Sequence, residues 1–93
     1  MDVIWGIAQN ALAQACFELD VTHRKDSNKG DYADKEIIII SESDVPGIPR
    51  NPPEMFPDII NNVLKGQFLK CEIVKREGKN LHCKVSHSGV GGY

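Results

Sequence analysis

The sequence predicts a small α+β domain in α-β-β-α-β-β order, with two helices packed on a four-stranded, mostly antiparallel sheet. Three observations carry that expectation. Apolar residues near the N-terminus recur at helical spacing, the C-terminal third alternates apolar and polar residues around a turn, and between them Ile37 to Ile40 form an unbroken isoleucine run.

Val3, Ile4, Ile7, Ala11 and Leu12 recur at three and four, alanines supply helix propensity, and Asp2 can cap the N-terminus, so the first element is a helix over 2–14. The period then changes. Ala15, Phe17, Leu19 and Val21 alternate with Cys16, Glu18, Asp20 and Thr22, which gives a strand with one dry face and puts Cys16 on the wet one.

Four β-branched residues without alternation, Ile37 to Ile40, belong to an interior strand covered on both faces. Two helices on one side cannot cover both. A second subunit or a loop must supply the other cover, so self-association into a homodimer is expected.

Residues 41–56, "SESDVPGIPRNPPEMF", form a proline-rich loop, and Pro57 opens the next helix. Proline fixes φ before folding, so such a loop loses less entropy on ordering and can lie fixed against a surface. Loops of this length in compact domains commonly carry function, which makes Ile48, Arg50, Met55 and Phe56 the expected partner-binding residues. The competing reading turns Ile48, Met55 and Phe56 inward and leaves the prolines as a tether.

Phe56, Ile59, Ile60, Val63 and Leu64 define one face of the second helix, and Gly66 stands where a left-handed C-terminal cap is expected. A hairpin follows. Leu69, Cys71 and Ile73 share one face of its first strand and Leu81, Cys83 and Val85 one face of its second, joined through "EGKN", where Gly78 or Asn80 can take positive φ. At an offset of 52, residues 7–24 echo residues 59–76, each copy passing from helical spacing to alternation at the same place. The six residues 88–93 read as a flexible, glycine-rich tail.

Length and composition bound the rest. Ninety-three residues make one domain, 1–93. Net charge is −2, but residues 1–62 carry 11 acids against 5 bases and residues 63–93 carry 2 against 6. A polyanion would have to use the C-terminal third, where Lys75, Arg76 and Lys79 surround the hairpin tip, diluted by Glu72 and Glu77. The charge balance weighs against nucleic acid as the partner. Three cysteines cannot all pair within the chain and the start shows no secretory leader, which favours a reducing, cytoplasmic setting. No apolar run is long enough to span a bilayer, so no membrane partner is expected.

Chemistry-bearing patterns are sparse. "RKDSNKGDYADKE" fails as a calcium loop, because placing Gly30 at the sixth position puts Lys25, Ser27 and Lys29 where oxygen ligands are required. Cys16, Cys71, Cys83, His23, His82 and His87 include no C-x-x-C pair, so neither a metal nor any other cofactor is expected. The expected function is therefore that of a non-catalytic protein-binding or regulatory domain. Two alternatives stand beside it: a nucleic-acid-binding domain using the basic hairpin, and a small thiol- or metal-dependent enzyme centred on Cys71, Cys83 and His87.

Overall fold

The computed structural model describes residues 1–45 and 56–87, and it replaces the expected two-layer fold with a closed five-stranded barrel. The strands are β1 (Val3–Ala13), β2 (Cys16–Arg24), β3 (Lys35–Ser43), β4 (Phe68–Glu77) and β5 (Asn80–His87), joined in the order β1-β2-β3-β5-β4 and closed by β4 against β1. One short helix precedes β4. It begins as α1 (Pro57–Ile59) and continues as a wider π turn (Ile60–Leu64), closed by the Lys65 N–H on the Ile60 carbonyl at 3.1 Å. Among the described strands only β3 and β5 run parallel; the other neighbours are antiparallel. The crossover from β3 past β4 to β5 gives the closed barrel a Greek-key strand order.

The α+β expectation fails at its first element. Residues 3–13 are a strand, because Ile4, Gly6 and Ala8 point into the barrel while Trp5 and Ile7 lie half-buried outside. With both faces apolar, alternation is lost, and the same residues satisfy helical spacing by coincidence. The internal echo falls with it, since only its second copy passes from helix to strand.

Gly6 shows what β1 requires locally. A Cβ there would collide with the carbonyl oxygen of Asp20, at the point where the β1–β2 register shifts between Trp5 and Gly6. Glycine lets the two backbones approach across that irregularity. Beyond Ile7 the β4 side of β1 is taken over by the helix end: the Ala8 N–H donates to the Gln67 carbonyl (3.0 Å), the Gly66 N–H to the Ala8 carbonyl (2.8 Å), and the Ala11 N–H to Asn61 Oδ1 (2.9 Å). Gly66 has φ 86, as the expected C-terminal cap requires.

The other strands follow their alternation. Phe17, Leu19, Leu69, Cys71, Leu81, Cys83 and Val85 are fully buried, with Ile60 and Leu64 of the helix packed onto the same cluster. Cys16 departs from the expectation and is buried, beside Ile39 in the β2–β3 register. The isoleucine strand is a barrel stave: Ile38 and Ile40 fill the interior, whereas Ile37 and Ile39 face outward and are half-buried. The barrel interior thus covers one face without a second helix, and the premise that led to a second chain no longer holds in its original form. Phe56 stands apart from the helical face expected of it, 57% exposed ahead of Pro57. Among the described residues no helix is long and apolar enough to cross a membrane.

Candidate binding cleft

At one end of the barrel the loop 25–34 folds back over the mouth between β2 and β3. Its shape is fixed by β1. Asn28 donates to and accepts from the backbone of Val3, both at 2.8 Å, and so stands in for a missing strand partner. The Asp2 carboxylate accepts from the Lys29 and Gly30 N–H groups, each at 2.9 Å, and from the Tyr32 hydroxyl at 2.6 Å. Three donors on one carboxylate, the Tyr32 hydroxyl foremost, pull the Asp2 pKa down to about 2. Burial, together with the bond to Asp2, pushes the Tyr32 phenol up to about 12.

The other side of the mouth comes from the β4–β5 hairpin. Its two-residue turn holds Gly78, at φ 60, and Lys79 between the paired Glu77 and Asn80. A bulge between Ile73 and Lys75 leaves Val74 exposed and shifts the later residues of β4, so that Arg76 shares a register position with the buried Leu81 and its side chain crosses the barrel end. Arg76 Nη2 donates to Glu36 Oε2 at 3.2 Å and to the Asp31 carbonyl at 3.3 Å, and its guanidinium lies 5.7 Å from the centre of the Tyr32 ring. Glu36 is only 7% exposed; it also accepts from the Ala33 N–H at 2.8 Å.

Between loop and hairpin lies a cleft of about 650 Å³. Ala33, Tyr32 and Ile37 give it apolar surface. Asp31 stands on its loop rim, Gly78 and Lys79 on its hairpin rim, and Lys35, Glu36 and Arg76 complete the lining. The volume falls in the range of small-ligand pockets.

The expected site residues divide sharply. Ile48, Arg50 and Met55 lie outside the described residues, as does the tail 88–93. Phe56 is exposed but does not line the cleft. Of the basic trio, Arg76 and Lys79 do line it, whereas Lys75 is turned to Glu77 at 3.7 Å. Arg76 is internally neutralised by Glu36, and Lys79 has no ion pair among the described residues.

Asp2, Asp31, Tyr32 and Glu36 were not legible as site residues. The one signal in the sequence is Tyr32, two residues after Gly30, in the charged stretch that fails as a calcium loop. β4, which carries Lys75 and Arg76, is paired on both sides.

The thiols are sequestered. Cys71 and Cys83 are fully buried, and a hydrogen bond to Cys83, with burial behind it, holds the Cys71 thiol well above the usual range. Burial also raises Cys16. Such thiols are poor nucleophiles. His87 is exposed at the end of β5, and no group of three or more potential metal ligands occurs among the described residues.

Comparison with known proteins returns no match: no family model, no curated protein and no solved structure matches the chain.

Proposed function

We propose that the chain is a non-catalytic binding domain that recognises a protein partner through the cleft between loop 25–34 and the β4–β5 turn. The observation that carries this reading is the state of the cations around it. Arg76 is bound to Glu36 and packed on Tyr32, Lys75 faces Glu77, and Lys35 lies 3.8–3.9 Å from Asp20 and Glu18. A polyphosphate would have to displace these acids and would meet Asp31 as well. A polypeptide suits mixed charge over an apolar floor.

The test is capture of the partner from the native host with tagged protein. Ala33→Arg, which fills the cleft from an exposed position, should abolish capture while leaving the circular dichroism spectrum unchanged; capture that survives in the variant would reject the cleft as the site. Self-association belongs to the same reading through the outward, half-buried Ile37 and Ile39. A sedimentation mass of 10.3 kDa, that of one chain, would remove it. The cytoplasm is the proposed setting, on the odd number of cysteines.

Nucleic-acid binding by Lys75, Arg76 and Lys79 is the second reading, favoured by the barrel architecture, which elsewhere holds oligonucleotides near the same hairpin loop. Architecture alone assigns no ligand. Retention on immobilised single-stranded DNA that falls steeply with salt and is lost in Lys79→Glu would establish it in place of the protein partner.

A further inference from the structure

Resting on the cleft as the protein-binding site, we infer that its occupant is a dipolar polypeptide segment. An acidic side chain would lie on Lys79, a basic one on Asp31, and an apolar residue between them over Ile37 and Ala33. Asp31 and Lys79 are both exposed and occupy opposite rims of the same cleft. Neither carries an ion pair among the described residues.

The neighbouring charges sharpen the contrast. Arg76 and Glu36 cancel each other, and Arg76 meets Asp31 at its backbone carbonyl. Lys35, in the cleft lining, is shared between Glu18 and Asp20 at 3.9 and 3.8 Å. What remains is one uncompensated negative rim and one uncompensated positive rim, with Tyr32, Ala33 and Ile37 between them. A uniformly acidic or basic ligand satisfies one rim and is repelled by the other. A ligand carrying both signs satisfies both, and the one like-charge clash becomes a second attraction.

The test uses the full chain, isotope-labelled for amide NMR, and three capped hexapeptides sharing a Val-Leu centre: GEVLKG, GKVLKG and GEVLEG. The mixed peptide should bind roughly tenfold more tightly than either like-charged one, the scale of two exposed ion pairs, with shifts centred on Asp31, Ala33 and Lys79. Raised salt should shrink that preference. Lys79→Glu should move the preference to GKVLKG, and Asp31→Lys should move it to GEVLEG. Both positions are exposed, so neither change threatens the fold.

Equal binding of the three peptides, no binding by any, or variants that leave the order unchanged would each overturn the inference. Those results would leave the cleft itself to be judged by partner capture with Ala33→Arg. Tighter binding of single-stranded oligothymidylate than of every peptide, mapped to the same amides, would instead overturn the protein-binding reading on which the inference stands.

Discussion

Asp2 is a single side chain that pins Lys29, Gly30 and Tyr32 of the loop, and its chemistry bears on how the barrel mouth responds to acid. Its folded pKa, about 2, lies below the usual 3.8, so its contribution to stability is complete above pH 3.8 and is lost as pH falls through 2. Asp2→Asn should therefore differ from the parent in thermal midpoint at pH 6 and converge with it near pH 2. Parallel pH profiles would refute the role given to the carboxylate. Tyr32 acts at the other limit: with a pKa raised from 10 to about 12, its contribution is complete below pH 10 and is lost as pH rises through 12. Gly6 makes a steric demand of the same local kind. Gly6→Ala places a methyl group against the Asp20 carbonyl, with no flexible side-chain end to give way, and should cost about 3 kcal/mol or more in denaturant unfolding. A loss below about 1 kcal/mol, the ordinary range for a surface substitution or less than a mean one, would mean that the two strands are not in contact there.

Among the elements, the hairpin and the loop are held together by the contact of Arg76 with Glu36. Arg76→Ala leaves a carboxylate with 7% side-chain exposure without its cation and should destabilise the protein by about 1–3 kcal/mol. Lys79→Ala, three residues on in the turn and without an ion pair among the described residues, should stay within about 0.5 kcal/mol. Equal effects in chemical denaturation would contradict the division between a structural and a ligand-facing cation. The same comparison shows what sequence can and cannot reveal. The hairpin was legible because Leu69, Cys71, Leu81, Cys83 and Val85 alternate with polar residues around Gly78, and the helix was legible from Ile60, Leu64 and Gly66. β1 was not, because Trp5 and Ile7 are partly covered on the outside while Ile4 and Ala8 are buried inside. Gly6, costly within a helix but needed at a close strand approach, was the contrary signal. The cleft was half legible: Lys79 and Arg76 stand out by charge, but their difference depends on Glu36, which is 40 residues away in sequence from Arg76.

At the level of the molecule, barrel closure explains how so short a chain holds a core with one sheet, to which the short helix adds Ile60 and Leu64. Each strand finds partners on both sides, and Phe17, Leu19, Ile38, Leu69 and Leu81 meet inside at essentially zero exposure. Closure also places the cleft. β1 carries Asp2 and Val3 to the mouth, where they hold loop 25–34 against the hairpin. The most direct test is an interstrand NOE measurement between residues 3–7 and 68–72. The account predicts contacts in the register Val3 with Glu72, Trp5 with Lys70 and Ile7 with Phe68. Sequential amide-to-amide NOEs and helical carbon shifts over 2–14, with no contacts to 68–72, would contradict it.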